Sequence, residues 1–579
     1  MIEATGAEIV VRLLEKHGID LVAGIPGGSV LPLYEELGKS TIRHILVRHE
    51  QAGGFLAQGI ARSTGKTAVC IATSGPGAMN LLTAIADARC DSVPLVAITG
   101  QVNTALIGTD AFQEADTFGL SFPITKHSVM VSSARELLEA IPRAFQIAQE
   151  GRPGPVLVDI PRDIQLQKVS FESWPQPIQV EKKAVRFRTD GEAFVRRIDE
   201  AARALLAAKQ PVLYIGGGCN SSEAAEGIAT VRKELPLPVV TSLMGIGAVD
   251  AEDPLLAGMI GMHGSMCANR AMYESDLVIA VGVRFDDRAT GVIARFCPSA
   301  RIIHIDIDAA EVNKIMSAAI AIISDAESAL PAIAERVREV RREKGTINDS
   351  ALHDWNTRIR SLKAEEYAND AARATNATQS KSMHPGAFLA ALPSCASRAG
   401  ISPSDLIITT DVGQHQMWSA QYYPVRTPRT FLTSGSLGTM GFGLPVAIGA
   451  ALANPDKRVV CISGDGSIMM NIQELATLNE LGVNVTVIVL DNGSLGMVRQ
   501  QQALLFNRHF SASVFESSVD LVAIASGFGI TCARAEDEGW EKVAFAGSGP
   551  RFVRLAIDPE HMVSPFVPAG KANVEALLL

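Results

Sequence analysis

Short apolar runs alternate with longer segments of helical periodicity along most of the chain. In the first third these runs are rich in Val and Ile, and they lie at Asp20–Gly24, Ile42–Val47, Thr67–Ala72, Val93–Thr99 and Val156–Ile160. Continuous apolar runs separated by helix-length segments are typical of parallel sheets covered by helices on both faces. The pattern predicts an α/β protein made of doubly wound parallel-sheet domains, and it excludes all-α and all-β folds.

Two polar stretches interrupt this alternation. Residues 165–190 contain Pro175 and Pro177, and residues 335–380 begin with a charged helical segment and end in polar sequence. Both stretches are predicted to be linkers. They divide the chain into three domains and a tail, at residues 1–165, 190–340, 380–560 and 561–579.

A faint likeness between residues 74–88 and 435–450 suggests that the first and third domains have related folds. Residues 4–18 are predicted to form an amphipathic helix, so no signal peptide is expected. Apolar runs such as Leu277–Val283 are far shorter than the ~20 residues of a membrane span. The sequence therefore predicts a cytoplasmic protein that does not bind membranes.

Charge and composition restrict the ligands. The formal net charge is −10 and Trp, Tyr and Phe make up only 5% of the chain, so nucleic-acid binding is not expected. Any phosphate must be held locally, by backbone amides or a metal. The eight cysteines are at least twenty positions apart, which favours neither a zinc site nor a disulfide framework and fits a reducing compartment.

The most informative segment is residues 458–498. Asp465 follows a predicted buried strand at Arg458–Ser463, and Asn492 follows the next one at Val483–Leu490. Because carboxyl ends of parallel strands face the same crevice, the two side chains are expected to meet there. Carboxylate and amide oxygens suit Mg²⁺ that keeps water and phosphate oxygens. The alternative is two ordinary turns, in which Asp, Gly and Asn are common.

A second constellation, RHEQAGGFLAQGIAR at residues 48–62, places Glu50 at the start of a predicted helix after a strand. On its own Glu50 is a first-turn carboxylate that complements the helix dipole. The Gly-rich turns at residues 25–29 and 73–77 are weak signals when taken singly.

The spacing GDG, then 25 residues, then Asn resembles the thiamin diphosphate motif of transketolases, decarboxylases and carboligases. The resemblance implies that Asp465, Asn492 and the main-chain carbonyl of Ser494 bind Mg²⁺. It also implies that Glu50 is the catalytic residue that hydrogen-bonds to N1′ of the cofactor's aminopyrimidine. The sequence departs from the family at Asp491, where Asn is often found, and this adds a negative charge nearby.

A narrower resemblance covers residues 1 to about 570. The segments IPGGSVLPLYEEL, HEQAGGF, TSGPGAMNLLTAIADA, ITGQV, GTDAFQEAD, PITKH, GRPGPVLVDIPRDI and TSGSLGTMGFGLPVAIGA occur in family order. Together they are similar to the catalytic subunits of the acetohydroxyacid (acetolactate) synthases. The segment VGVRFDDR, residues 281–288, resembles the FAD-binding segment of the anabolic members. The middle domain has no G-x-G-x-x-G motif. Without the likeness at residues 281–288 it would be interpreted as a degenerate domain that binds no nucleotide.

The resemblance implies a set of ligand-contacting residues. Those implied for thiamin diphosphate are Gly27, Pro76, Val412, Gly413, Gln414, His415, Gly438, Met440, Gly464, Gly466, Ser467, Leu495, Gly496 and Met497. Those implied for FAD are Gly216, Gly217, Gly218, Thr241, Leu243, Met244, Met262, His263, Gly282, Arg284, Asp286, Arg288, Asp306 and Asp325. Those implied for substrate are Gly28, Phe112, Gln113, Lys126, Val498 and Gln501. Lys126 is open to a second interpretation as a solvated surface lysine.

The implied activity is decarboxylation of pyruvate and ligation of its two-carbon unit to pyruvate or 2-oxobutyrate, in branched-chain amino acid biosynthesis. The implied assembly is a homodimer or tetramer with active sites between subunits, and a small regulatory subunit is possible. Members of the family often carry Trp where this chain has Gln501, which predicts little preference between the two acceptors. The alternatives are a pyruvate oxidase-type enzyme, a glyoxylate carboligase, which Glu50 disfavours, and a non-enzymatic flavoprotein.

Overall fold

A computed structural model describes residues 1–179, 191–344, 349–377 and 383–579. These residues form three six-stranded parallel sheets, each flanked by helices, and a two-stranded antiparallel sheet. The predicted class of three doubly wound α/β units is confirmed. One six-stranded sheet lies within each of the three predicted domain ranges.

The first sheet has the order β3-β2-β4-β5-β7-β6, and its central strands β4 and β5 are buried along their whole length. Its first helix begins with a capping box in which the Thr5 hydroxyl and the Glu8 carboxylate each accept the other residue's backbone N–H. The strands are β1 Ile2–Thr5, β2 Leu21–Ile25, β3 Arg43–Leu46, β4 Ala68–Ala72, β5 Leu95–Gln101, β6 His127–Met130, β7 Pro155–Pro161 and β8 Lys168–Phe171. The helices are α1 Gly6–Lys16, α2 Leu31–Leu37, α3 Glu50–Thr64, α4 Pro76–Cys90, α5 Thr117–Ser121, α6 Leu137–Gln149 and α7 Arg162–Leu166.

The middle sheet has the order β11-β10-β9-β12-β13-β14. Counted from its own first strand this is 3-2-1-4-5-6, the order of dinucleotide-binding sheets, in which the ligand crevice opens where the strand order reverses. The strands are β9 Pro211–Ile215, β10 Val239–Thr241, β11 Leu256–Met259, β12 Leu277–Val281, β13 Arg301–Asp306 and β14 Ile320–Ile323. The helices are α8 Gly191–Ala207, α9 Ser222–Glu234, α10 Met266–Glu274, α11 Asp287–Thr290, α12 Ala326–Lys344 and α13 Asp349–Ala377.

The third sheet has the order β16-β15-β17-β18-β20-β19. Counted from its own first strand this order is 2-1-3-4-6-5, and the first sheet has the same order, so the suggested relation between the two domains is present in their topology. The strands are β15 Leu406–Thr410, β16 Phe431–Leu432, β17 Arg458–Gly464, β18 Val485–Asp491, β19 Thr531–Arg534 and β20 Arg551–Ala556. The helices are α14 Pro385–Arg398, α15 Gln414–Tyr422, α16 Gly443–Ala453, α17 Asp465–Ile468, α18 Glu474–Leu481, α19 Gly496–Leu505, α20 Leu521–Gly527 and α21 Trp540–Phe545.

The second predicted linker is wrong for residues 349–377, which form helix α13. Leu352, Trp355, Ile359 and Leu362 are buried in the core of the middle domain, and the Trp355 indole donates a hydrogen bond to the Pro211 carbonyl at 3.0 Å. These apolar residues recur at helical spacing, and the polar sequence around them masked that periodicity. The rest of this predicted linker includes residues 345–348 and 378–380, which lie outside the described residues.

The first predicted linker contains strand β8, which pairs with β1, and its residues 180–190 lie outside the described residues. The predicted tail is folded back on the molecule. The main-chain amide of Val567 donates to the Met262 carbonyl at 2.9 Å, and Asn573 Nδ2 donates to the Ala289 carbonyl at 2.8 Å. No helix among the described residues has the length and apolar character needed to cross a membrane.

Helices α3 and α16 join the first domain to the third. A Cβ atom at Gly59 would lie 2.2 Å from the Val446 carbonyl oxygen, and one at Gly449 would lie 1.9 Å from that of Leu56. The two helices therefore approach so closely that only glycine fits at these positions. Helix α3 begins at Glu50, and α16 begins three residues after Met440. The contact between the two helices therefore fixes the positions of two predicted site residues relative to each other.

Candidate active site

A cavity of about 1490 Å³ opens along the carboxyl edges of the middle and third sheets. It is larger than the roughly 300–1,000 Å³ of ordinary small-molecule pockets. Its lining includes the turns after β9, β12 and β13 on one side and those after β15, β17 and β18 on the other. The cavity therefore has room for two neighbouring ligands.

The predicted metal ligands lie together at the third-domain end of this cavity. Strands β17 and β18 are adjacent and parallel, with Gly464 opposite Leu490, so Asp465 and Asn492 follow at the same edge. Asp465 is buried, and its Oδ2 atom has no hydrogen-bond partner among the described residues. Burial, and next the nearby Asp491 carboxylate, raise the pKa of Asp465 to about 7. A buried carboxylate oxygen without a hydrogen-bond partner is costly, and a bound cation would supply the missing interaction.

Asn492 is oriented by its own turn. Its Oδ1 accepts hydrogen bonds from the Ser494 amide at 3.1 Å and the Ser494 hydroxyl at 3.0 Å, while its Nδ2 donates to Gln414 Oε1 at 3.1 Å. A Cβ atom at Gly496 would lie 2.2 Å from Gln414 Oε1. The backbone of α19 therefore begins in close contact with the turn that carries Asn492, and its first residues, Gly496, Met497 and Val498, line the cavity.

Asp491, the departure noted in the sequence, is neutralised. Its Oδ2 accepts a hydrogen bond from Arg554 Nε at 2.8 Å, across the neighbouring strands β18 and β20. The extra negative charge beside the predicted metal ligands therefore has its own counter-ion.

Asp411 organises the turns around this edge. It is fully buried, and its carboxylate accepts hydrogen bonds from the Val412 amide at 3.0 Å, the Gly441 amide at 2.9 Å and the Ser463 hydroxyl at 3.3 Å. Burial raises the pKa of Asp411 to about 6. Sequence reasoning missed this residue, although its position directly after the buried strand β15 was a signal.

Most residues predicted for thiamin diphosphate are brought together here. The ones that line the cavity are Val412, Gly413, Gln414, His415, Gly438, Met440, Gly464, Gly466, Ser467, Leu495, Gly496 and Met497. The predicted metal ligands Asp465, Asn492 and Ser494 line it as well, as do the predicted substrate residues Val498 and Gln501. His415 adds a second orphaned polar atom, since its Nε2 has no partner within the described chain.

The residues predicted for FAD line the middle-domain end of the same cavity. Those in direct contact with it are Gly217, Gly218, Leu243, Met244, Met262, His263, Gly282, Arg284, Asp286, Arg288, Asp306 and Asp325. Gly216 and Thr241 are the strand-end residues beside them. Asp306 is buried, and burial raises its pKa to about 6.

The reversal of strand order falls between β9 and β12, where glycines meet. Gly282 has a φ of +58°, and a Cβ atom there would lie 2.6 Å from the Gly218 Cα atom. This is a smooth backbone surface at the crevice where such sheets hold dinucleotides. The middle domain therefore fits a dinucleotide although it lacks G-x-G-x-x-G, because glycines from two separate turns meet at that crevice.

A separate group forms at the carboxyl edge of the first sheet. Glu50 begins α3 with its side chain buried, and its Oε2 accepts a hydrogen bond from Asn80 Nδ2 at 3.0 Å. A Cβ atom at Gly77 would lie 3.3 Å from Glu50 Oε1, and one at Gly27 would lie 2.5 Å from the Thr73 side chain. Sequence reasoning missed Asn80, which lies one helical turn after Pro76 in the segment already singled out.

This first-domain group does not reach the large cavity. Within the described part of the chain the lining includes none of the predicted residues Gly27, Gly28, Glu50, Pro76, Phe112 and Gln113. Phe112 is 87% exposed. Lys126 does line the cavity, but its ammonium group donates to the main-chain carbonyls of Ile147 and Glu150. Burial lowers the pKa of Lys126 to about 8.

Comparison with known proteins identifies the family of this chain. Three models of thiamine pyrophosphate (TPP, thiamin diphosphate) enzymes match it: the N-terminal TPP binding domain at residues 4–120, the central domain at 198–333 and the C-terminal TPP binding domain at 411–554. The chain is 46% identical to the acetolactate synthase isozyme 1 large subunit of Escherichia coli K12, over 99% of this chain and 97% of that protein. The chain belongs to the acetolactate synthase large-subunit family.

Other relatives of this family agree. Identity is 42% to the isozyme 2 large subunit of the same organism and 41% to the acetolactate synthase large subunit of Corynebacterium glutamicum, in both cases over at least 98% of this chain. The chain is thus a TPP-dependent enzyme, as the sequence predicted. The two TPP binding domains are the first and third domains, and they carry the two separate groups of residues described above.

Among the residues that the structure describes, no three His, Cys, Asp or Glu side chains are placed to hold a metal ion together. The predicted site has one carboxylate, one amide oxygen and one main-chain carbonyl. Such a set suits Mg²⁺, which takes its remaining ligands from water and phosphate.

Proposed function

We propose that the chain catalyses the acetolactate synthase reaction, in which pyruvate is decarboxylated and its two-carbon unit joins a second 2-oxoacid. The acceptor is pyruvate or 2-oxobutyrate. The observation that carries this proposal is the cavity in which TPP-type and dinucleotide-type residues adjoin, in a chain 46% identical to an acetolactate synthase large subunit.

Asp465, Asn492 and the Ser494 carbonyl would hold Mg²⁺, and the cation would anchor the diphosphate of TPP. The buried, partnerless Oδ2 atom of Asp465 supports this assignment. The amides at the start of α19 and the glycine turn after β17 would bind the diphosphate oxygens. Bound TPP supplies the nucleophile and the electron sink that decarboxylation of a 2-oxoacid requires.

FAD would occupy the middle-domain end of the cavity, in contact with the glycine turns after β9 and β12. The 3-2-1-4-5-6 strand order and the Gly218–Gly282 contact support a dinucleotide there. Because carboligation transfers no electrons to an acceptor, we propose that the flavin is structural. An apoenzyme reconstituted with 5-deaza-FAD should then retain most of its activity, whereas a requirement for redox-competent flavin would contradict this role.

Glu50 would act across a subunit interface. Within one chain, Glu50 lies outside the cavity that is lined by the proposed metal ligands Asp465 and Asn492. In the proposed reaction, however, Glu50 and these ligands must contact the same TPP molecule. We therefore propose a dimer, or a tetramer of such dimers, in which the partner subunit's Glu50 completes each site. Asn80 would donate its hydrogen bond to Glu50 Oε2 and leave Oε1 free to share a proton with N1′ of the aminopyrimidine.

Three further proposals concern partners and location. The relatives are named large subunits, which supports association with a smaller regulatory chain. The net charge of −10 supports an enzyme that does not bind nucleic acid. Eight free thiols support a location in the reducing cytoplasm. The likeness to acetolactate synthase large subunits supports a role in branched-chain amino acid biosynthesis.

The test is a product assay. The purified chain is incubated with TPP, Mg²⁺, FAD and pyruvate in air, and acetolactate, acetate and H₂O₂ are measured separately. Acetolactate as the main product supports the proposal. Acetate with stoichiometric H₂O₂ would instead identify a pyruvate oxidase-type enzyme and overturn it.

A further inference from the structure

Residues 434–440, called here the Met440 loop, lie where the three domains meet. The loop follows β16 and ends at Met440, and both Gly438 and Met440 line the large cavity. Its tip is exposed toward the cavity, with Leu437 46% exposed. The conformation of this loop therefore decides where the Met440 side chain stands relative to the cofactor.

Two carboxylates of the first domain bind this loop. Asp87 Oδ2 accepts hydrogen bonds from the Ser434 hydroxyl and, at 3.0 Å, from the Thr439 hydroxyl. Asp91 accepts from the Gly435 amide at 2.9 Å and from the Ser436 amide at 3.0 Å. Four donors of the loop are thus committed to two residues of helix α4 and its C-cap.

A buried arginine holds the two carboxylates together. Arg62 Nη2 lies 2.9 Å from Asp87 Oδ1 and 3.0 Å from Asp91 Oδ2, and Arg62 Nη1 donates to the Thr433 carbonyl at 3.0 Å. The side chain of Arg62 is 6% exposed and those of both aspartates are 0% exposed. One cation cannot satisfy two buried carboxylates, so the hydrogen bonds from the loop complete their environment.

The middle domain contacts the opposite side of the loop. Arg284, a predicted FAD residue, donates a hydrogen bond to the Ser436 hydroxyl. A Cβ atom at Gly435 would lie 2.2 Å from Met244 Sδ, so this part of the loop packs directly against the middle domain. The loop is held on both sides, and the strongest interactions come from the first domain.

We propose that Asp87 and Asp91, joined by Arg62, are positioning residues that fix the Met440 loop of their own chain. This inference rests on the proposed shared active site. The first domain then has two separate duties, because it supplies Glu50 to the partner's site and shapes the Met440 loop for its own site. Asp87 should consequently act in the chain that supplies Asp465, not in the chain that supplies Glu50.

A heterodimer with one functional site separates these two duties. One chain carries Glu50→Gln and the other carries Asp465→Ala, each with a different affinity tag, and the mixed dimer is purified with both tags. Its single active site combines Glu50 from the second chain with the third domain of the first. Asp87→Asn is then introduced into either the first or the second chain.

We expect Asp87→Asn to lower kcat about tenfold or more when it lies in the Glu50→Gln chain, the size that follows from losing hydrogen bonds to a buried charged group. In the Asp465→Ala chain it should change kcat less than about twofold. The Kd of TPP, measured by fluorescence titration with Mg²⁺, should differ between the two placements much less than kcat does, because the predicted metal and diphosphate residues of the third-domain turns are untouched.

Asp159→Asn is the matched control. Asp159 is also a fully buried carboxylate of the first domain, but its partners, Thr99 at 2.7 Å and Gln101 at 3.1 Å, belong to that same domain. It should not reproduce the loss of kcat in the Glu50→Gln chain. Ser434→Ala is a gentler change to the same network, and in the homodimer it should lower kcat more than it raises the Kd of TPP.

Three results would overturn the proposal. One is an equal loss of kcat in both placements of Asp87→Asn, which would mean general damage to the fold. Another is full activity in both placements together with a fully active Ser434→Ala enzyme. The third is a parent heterodimer without activity, which would refute the shared site itself and the proposal with it.

Discussion

Arg554 Nε lies 2.8 Å from Asp491 Oδ2, directly beside the predicted metal ligands Asp465 and Asn492. The pair is partly buried, with side-chain exposures of 30% and 18%. A carboxylate that the sequence presents as surplus negative charge is therefore half of an ion pair. The structure thereby shows how the negative charge of Asp491 is compensated in this chain.

Asp491→Asn should weaken Mg²⁺ binding, because it leaves the positive charge of Arg554 uncompensated near the metal. We expect the Mg²⁺ concentration for half-maximal binding of TPP to rise several-fold. The repulsion between an unpaired Arg554 and the cation should cost about 1 kcal/mol of binding free energy. Fluorescence titration of TPP against Mg²⁺ measures this. The double variant Asp491→Asn/Arg554→Gln should recover most of the affinity. Equal affinity in all three proteins would contradict the electrostatic explanation.

Gly449→Ala should destabilise the contact between α3 and α16. The new Cβ atom would lie 1.9 Å from the Leu56 carbonyl, so the helices must separate. Overpacking of this kind costs about 1–3 kcal/mol. The thermal midpoint of the chain should fall and TPP-dependent activity should fall with it. Gly527→Ala in α20 is the control, since its Cβ atom would meet nothing within 4 Å, and no comparable loss is expected there.

Asp159→Asn should change the pH dependence of stability. Burial raises the pKa of Asp159 to about 7, above the ~3.9 expected in an unfolded chain. A raised pKa contributes stability below the unfolded value, and this contribution is lost as pH rises through 7. The free energy of unfolding falls by about 1.4 kcal/mol for each pH unit that separates the folded and unfolded pKa values.

The asparagine variant has no such loss. Its thermal midpoint relative to the wild type should therefore improve between pH 4.5 and pH 8. Asp110→Asn, which alters an exposed carboxylate of the same domain, serves as the control and should show no such trend. A pH-independent difference for Asp159→Asn would contradict the buried, protonated carboxyl.

Gln501 should give nearly equal use of pyruvate and 2-oxobutyrate as acceptor. It lines the cavity and is exposed, whereas its neighbour Gln500 is buried and accepts a hydrogen bond from the Val563 amide. The register of α19 therefore presents Gln501, and not Gln500, to the cavity in which the substrate is proposed to bind. A Gln offers no dry contact for the extra methyl group, which is worth about 0.8–3 kcal/mol in a fitted apolar pocket.

Competition between the two acceptors, followed by separate measurement of the two products, tests this. Gln501→Trp should shift the ratio toward 2-oxobutyrate, and Gln501→Leu tests whether apolarity alone is sufficient. A strong preference for 2-oxobutyrate in the unmodified enzyme would contradict the role of Gln501.

Much of this architecture could be predicted from sequence because periodicity and strand-end chemistry are local signals. The strand at Arg458–Gly464 and the place of Asp465 after it followed from a buried apolar run and a GDG turn. Helix α13 did not follow, because its apolar stripe is set in polar sequence. Asn80, Asp87 and Asp411 were missed for a different reason. Their partners lie in other turns or in another domain, and a single sequence contains no information on which turns meet.

Each active site, in the function proposed here, combines the first domain of one chain with the third domain of another. The most direct test mixes the inactive Glu50→Gln and Asp465→Ala chains in equal amounts under conditions of verified subunit exchange. Half of the dimers are then mixed, and each mixed dimer has one intact site, so acetolactate formation should recover to about a quarter of the wild-type rate. No recovery, with exchange demonstrated, would contradict the shared site.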